Sequence, residues 1–265
     1  MIAGSLRALL DHLVDYAGLF PPAALTMQDA VRNYARYRDG EYAWALGKFV
    51  VPQARVPEVP AEFPLSILGV DEVKATTEEE IEGLAVDGWR LSGDPPAHEP
   101  PTANRQPPTV YVEITDLALL DAIRRRGLRA KIRTGGITPD AFPAIGNVAE
   151  LLRACKAKGV AFKATAGLHH PLRCVKPLTY EPNAPLGTMH GFLNVFLAAA
   201  LLDHADGILA EHDPGAFAFD DDGASWRGHR VSTEEIAAVR RDFATSFGSC
   251  SFEEPINDLK ELGWL

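Results

Sequence analysis

Cysteine is scarce: there are 3 in 265 residues, at positions 155, 174 and 250. The number is odd and no CxxC or other metal-ligand spacing is present, which argues against a disulfide scaffold and against a thiolate metal site. Such usage fits a reduced, cytoplasmic chain. Positive charge is also short, with 26 Lys and Arg against 36 Asp and Glu and a net charge of −10. A duplex-binding protein needs a basic face, and the run Arg124-Arg125-Arg126 reads as the solvated end of a helix. Nucleic acid and anionic membrane are therefore excluded as expected partners. No apolar run reaches the length of a membrane span; residues 192–202 (FLNVFLAAALL) fit a buried helix instead. The N-terminus lacks a signal peptide's pattern, because Asp11, His12 and Asp15 interrupt its apolar residues.

What the sequence does hold is a regular alternation of strand and helix signals. Apolar spacing in Leu6, Leu9, Leu10 and Leu13 marks a helix over 4–13. A short strand follows at 15–20, stopped by Pro21-Pro22. Thr26 caps a helix over 27–38. Strands are predicted at 44–52, 64–70, 86–92, 109–114, 130–136 and 162–167, with helices at 78–85, 117–127 and 149–159 between them. Residues 93–108 are proline-rich and read as a surface loop. An eighth strand at 246–252 and a last helix at 256–262 complete the set. Strands separated by helices pair in parallel through right-handed crossovers. The expected fold is a single (β/α)8 TIM barrel over 1–265. Residues 168–245 form an insertion after strand seven, holding a helix near 190–204, a hairpin at 217–228 and a helix at 233–243.

Two strands carry the chemical signal. Residues 130–136 read AKIRTGG and residues 162–167 read FKATAG, each with a lysine where a buried strand is predicted. Residues two apart share a strand face, so Lys131 goes with Arg133 and Lys163 with Thr165. Active sites of such barrels lie at the strand C-terminal ends. The plain alternative is that both lysines point outward and snorkel under the covering helices. If they face each other, burial and like charge lower a lysine pKa, and a neutral amine can form a Schiff base with a carbonyl. A carboxylate can then move protons, and Asp87 and Glu113 are the candidates.

The order of these motifs resembles that of the deoxyribose-phosphate aldolases, Schiff-base enzymes on a TIM barrel. Asp15-Tyr16-Ala17-Gly18-Leu19-Phe20-Pro21 keeps the aspartate, leucine and proline spacing of their first-strand motif. VVPQARV (50–56), AVDGWRL (85–91) and YVEIT (111–115) follow in the family's order. Lys131-Ile132-Arg133-Thr134-Gly135 matches the Schiff-base strand, Lys163-Ala164-Thr165-Ala166-Gly167 the strand after it, and Gly248-Ser249-Cys250-Ser251 the phosphate loop. The resemblance implies Lys131 as nucleophile, Lys163 as the partner that lowers its pKa, and Asp87 as proton shuttle. It implies no cofactor and a small carbonyl substrate, phosphorylated or not. The chain departs from the family at Tyr16-Ala17, at Arg133, where the family has a small residue, after Gly167, and throughout 168–245.

Other readings remain open. His169 and His170 follow strand seven directly and His190 opens the buried helix, so with Glu113 they offer nitrogen and oxygen ligands to a metal. That alternative is a metal-dependent hydrolase or lyase. A third is a non-catalytic barrel that holds an anionic metabolite through Arg133, the two lysines and the 248–251 loop. The residues expected to contact substrate are Arg133, Thr165, Gly167, His169, His170, Gly248, Ser249 and Ser251. Homo-oligomerisation stays open.

Overall fold

The structure, a computed structural model, describes residues 2–84 and 109–265. The strand expected at 86–92, with Asp87, and the loop at 93–108 lie outside the described residues. The chain runs α1 (Gly4–Leu10), β1 (Val14–Tyr16), α2 (Met27–Arg38), β2 (Leu46–Pro52), β3 (Leu65–Leu68), β4 (Glu72–Lys74), α3 (Glu78–Glu82) and β5 (Tyr111–Glu113). It continues α4 (Leu120–Arg125), β6 (Arg129–Arg133), α5 (Ile145–Lys158), β7 (Phe162–Thr165), β8 (Cys174–Pro177), β9 (Leu186–Met189), α6 (Phe192–Ala200) and α7 (Ala205–Ala210). Last come β10 (Phe217–Phe219), β11 (Gly223–Trp226), β12 (His229–Ser232), α8 (Thr233–Asp242), β13 (Ala244–Ser249) and α9 (Glu253–Glu261).

Eight of these strands close an all-parallel barrel in the order β1-β13-β7-β6-β5-β4-β3-β2. The expected (β/α)8 architecture is therefore present. The fourth position differs from the sequence reading, because it is filled by β4 at 72–74 rather than by 86–92. Parallel neighbours normally need a crossover of a dozen residues or more. Here three residues suffice, because β4 starts where β3 ends and the two share one residue pair, Leu68 with Glu72. The sidestep is tied by the Asp71 carboxylate, which accepts from the Ile67 backbone N–H at 2.9 Å.

Helix boundaries follow local signals. The Thr26 hydroxyl accepts from the Asp29 N–H at the start of α2. Thr77 and Ser232 each form a reciprocal capping box, at α3 and α8.

The apolar core lies between barrel and helices. Tyr16, Tyr34, Phe49 and Phe63 pack as one aromatic cluster under α2. Between β7 and β13 the predicted insertion supplies the barrel's own outer layer: Phe192 stacks on Phe247 at 5.2 Å and Phe196 on Phe162 at 6.2 Å. Each such ring stabilises by about 1.5–3 kcal/mol through burial. The predicted hairpin is β10–β11, extended by β12 into a three-stranded antiparallel sheet, and β8–β9 form a second small sheet. Among the described residues no helix is long and apolar enough to cross a membrane.

Candidate active site

Outward positions being apolar, the alternate residues face inward, and here they are polar. TIM barrels usually fill this space with branched apolar layers. In this barrel Asp15, Ser66, Glu72, Glu113, Lys131, Lys163 and Ser246 are all buried. Lys131 and Lys163 are direct partners in the β6–β7 register, so they lie side by side on one face.

One carboxylate, Glu72, separates them, and Asp15 and Glu113 flank them. Lys163 donates to Asp15 Oδ2 at 2.8 Å and to Glu72 Oε1 at 2.5 Å. Lys131 meets the other Glu72 oxygen at 2.9 Å and Glu113 Oε2 at 3.1 Å. Arg133 reaches Glu113 Oε1 through Nε at 3.2 Å and Nη2 at 3.0 Å. The result is a chain of alternating charge, Asp15–Lys163–Glu72–Lys131–Glu113–Arg133. Hydroxyls and backbone complete it: Ser66 donates to Glu72 at 2.6 Å, Ser246 to Asp15 at 2.8 Å, and the Lys48 N–H to Asp15 Oδ1 at 2.8 Å. Gly47 makes room for it, since a Cβ there would stand 2.4 Å from Asp15 Oδ1.

The electrostatics correct one expectation. The two lysines were expected to depress each other's pKa. Burial does oppose the Lys163 ammonium, but Asp15 and Glu72 outweigh it and raise its pKa above the ordinary value. For Glu72, burial favours the neutral acid, yet Lys163 and then Lys131 hold the carboxyl down to about 2. Burial likewise opposes the Glu113 carboxylate, and Lys131 and Arg133 overcome it, lowering its pKa. Opposite charges within ~4–6 Å favour ionised forms, and Glu72 stands between the lysines with Asp15 and Glu113 on their outer sides.

The network is reached from both ends of the barrel. At the C-terminal end Arg133 has a side chain 47% exposed and Lys74, 3.6 Å from Glu113 Oε1, one 72% exposed. From the N-terminal side a cavity of about 550 Å³, bordered by Leu46, Pro64, Arg129 and Thr245, extends to Lys163 and Asp15. Glu113 Oε2 is buried and, among the described residues, has no hydrogen-bond donor aligned with it, despite the Lys131 charge beside it.

No protein-family model matches the chain, and no curated protein matches it. The site must be read from its own geometry.

The remaining predicted residues divide. Thr165 lies in register with Arg133 on one side and Gly248 on the other, so all three belong to the C-terminal end of the barrel. Gly167, expected to meet substrate, is a position that admits no side chain. Its φ is +77° and an added Cβ would meet Gly135 Cα at 2.7 Å. His169 Nδ1 pairs with Glu254 at 3.1 Å and His170 Nδ1 with Asp258 at 2.6 Å, both acids on α9. His190 binds the Pro143 carbonyl at 2.8 Å through Nε2 and Arg173 at 3.3 Å through Nδ1. Glu113, His169 and His190 thus have separate partners, and among the described residues no group of three acids, histidines or cysteines is placed to hold a metal. In the 248–251 loop, Ser249 Oγ accepts from the Ser251 N–H and Ser251 Oγ from the Glu254 N–H.

Sequence reasoning missed Glu72, Ser66, Ser246 and Lys74. Glu72 sits in the run GVDEVK (69–74), whose mixture of turn and charged residues reads as a loop. The only local signal was the two-residue spacing of Glu72 and Lys74, which puts both on one strand face.

Proposed function

We propose that this barrel is an aldolase-like lyase that forms a Schiff base between Lys131 and a small carbonyl compound. The observation that carries this reading is the sharing of Glu72 by two buried, registered lysines, of which Lys131 is linked through Glu113 to the exposed Arg133 and Lys74. Lys163 is 2% exposed, enclosed by two carboxylates and set 5.5 Å from the Tyr111 ring centroid. It serves as a fixed cation. Lys131 lies two residues before Arg133 on the same strand face, within reach of a substrate entering from above.

The chemistry balances with groups present. The Lys131 ammonium passes one proton to a neighbouring carboxylate and its amine attacks the carbonyl carbon. The carbonyl oxygen, taking that proton and one from nitrogen, leaves as water and a protonated imine remains. The bond between the α and β carbons then breaks, its electrons forming an enamine while a carboxylate takes the β-hydroxyl proton and an aldehyde departs. Protonation of the enamine carbon and hydrolysis by water release the second product and restore Lys131. Glu113, whose Oε2 lies 3.1 Å from the Lys131 nitrogen, is the base that faces substrate; Glu72 exchanges a proton with Lys131 while Lys163 keeps its charge. Asp87, given the shuttle role by the family resemblance, lies outside the described residues, and Glu72 is the carboxylate that stands between the lysines.

Borohydride trapping tests this. A panel of small aldehydes and ketones, with borohydride, is expected to leave a reduced adduct on the Lys131 peptide in the wild type and none there in Lys131→Met. A panel-wide failure to label Lys131 refutes the reading.

A further inference from the structure

The chain of contacts around Lys131 carries an excess of positive charge, and the excess faces the open end. Among the described residues three carboxylates, Asp15, Glu72 and Glu113, meet four cations, Lys163, Lys131, Arg133 and Lys74. The first two cations are buried, whereas Arg133 and Lys74 are exposed at the C-terminal rim. Arg133 gives Glu113 its Nε and Nη2, and among the described residues its remaining donors have no hydrogen-bond partner. Across from it, an added Cβ on Gly248 would meet only Thr165 Oγ1, at 4.0 Å, so there is open space in the row of Arg133, Thr165 and Gly248.

The opposite place for an anion is already filled. In the 248–251 loop both serine hydroxyls accept backbone N–H groups of the same loop and helix. The first turn of α9 carries Glu253 and Glu254, the first paired with Arg36 at 2.8 Å and the second with His169. Carboxylates there already use the positive end of the helix, and a phosphate would be repelled.

We propose that Arg133, with Lys74 beside it, is the specificity determinant of this site, and that the substrate is a 2-oxo acid whose carboxylate lies next to the reacting carbonyl. This rests on the Schiff-base reading for the carbonyl and on the charge geometry for the carboxylate. Lys131 and Arg133 stand two residues apart on one strand face, about 6.6 Å along β6. They converge on the two oxygens of a single carboxylate, Glu113. A substrate bridging them needs its anion within a bond or two of its carbonyl. A 2-oxo acid has that spacing, whereas a phosphate ester at the far end of a sugar does not. A planar carboxylate also suits bidentate recognition by a guanidinium.

Borohydride trapping at Lys131 is measured with pyruvate, with its neutral isostere pyruvamide and with glyceraldehyde 3-phosphate. The half-saturating concentration is expected to be about 10–100-fold lower for pyruvate than for pyruvamide, the range of one charge-assisted hydrogen-bonded contact. Arg133→Met is expected to collapse that ratio towards one, and Arg133→Lys, which keeps the charge without the fork, to leave it in between. A ratio near one in the wild type, an unchanged ratio in Arg133→Met, or a preference for the phosphorylated aldehyde overturns the assignment. Lactate, which has no ketone, separates the two ideas. If lactate raises the melting temperature of the wild type and not of Arg133→Met while no carbonyl is ever trapped, the anion site stands and the Schiff base falls. If trapping occurs without discrimination, the reverse holds.

Discussion

Glu72 is the residue on which the interior depends. It accepts from Lys163 and Ser66 on one oxygen and meets Lys131 on the other. Removing one partner of a buried ion pair leaves an uncompensated charge and costs about 3–5 kcal/mol. Glu72→Gln is therefore expected to lower stability by that order, read by urea unfolding at neutral pH. The pH dependence has a definite sign. The folded-state pKa of about 2 lies below the ordinary 4.5, so its contribution is fully present above pH 4.5 and is lost as pH falls towards 2. That contribution is about 3 kcal/mol by linkage, and the lowered pKa of Glu113 adds to it in the same direction. Glu72→Gln should flatten the acid limb between those pH values; a limb as steep as the wild type's counts against the pairing. The Lys163 shift acts at the alkaline end: its stabilisation is complete below pH 10.5 and is lost only above it.

At the scale of elements, the site depends on how closely β1 and β2 approach. Lys48 N–H binds Asp15 Oδ1, and Gly47, just before it, has no room for a side chain beside that oxygen. Gly47→Ala must push Asp15 away from Lys163. The expected result is a fall of about 1–3 kcal/mol in stability, as for other overpacked buried positions. The same variant should also weaken labelling of Lys131, since Lys163 would bind Glu72 in a changed geometry. An unaltered melting temperature in Gly47→Ala would show that Asp15 has slack the structure does not suggest. The sidestep from β3 to β4 matters equally, because it turns Glu72 inward within reach of the Ser66 hydroxyl.

For the whole molecule, the closing seam of the barrel is where the chain's beginning and end meet, at β1 and β13. Arg240 of α8 is 8% exposed and ties this seam from outside the strands. Its Nε donates to the Leu9 carbonyl at 2.8 Å and its Nη2 to the Asp11 carbonyl at 3.0 Å, while Nη1 donates to the Ala244 and Thr245 carbonyls. Burial presses its pKa down to about 10, so the guanidinium stays charged at neutral pH. Arg240→Leu leaves four carbonyls without that donor and should cost about 3 kcal/mol or more. Arg153→Ala, which removes an exposed pair with Asp206, should cost less than about 1 kcal/mol. Comparing the two by thermal denaturation separates a seam that closes the barrel from ordinary surface pairing.

The architecture was legible in the order of residues because its signals are local. Apolar periods, Thr26 and Thr77 at helix starts, and glycine or proline at element ends each act within a few positions, and they already spelled alternating strands and helices. The side-by-side placement of Lys131 and Lys163 was legible too, since equivalent positions in consecutive parallel strands fall in register. Two things were not legible. The fourth barrel strand is three residues long and charged, so its pattern could not be told from a turn until β3 and β5 flanked it. The charges around the lysines come from positions 91 and 148 residues away, and no local period encodes such contacts. Periodicity could place two lysines inside a barrel, but closure alone decided that Glu72 and Asp15 would meet them. That closure changes the chemistry at position 163 from a neutral amine to a fixed cation, because a buried ammonium takes its pKa from whichever charges the tertiary fold brings within a few ångströms.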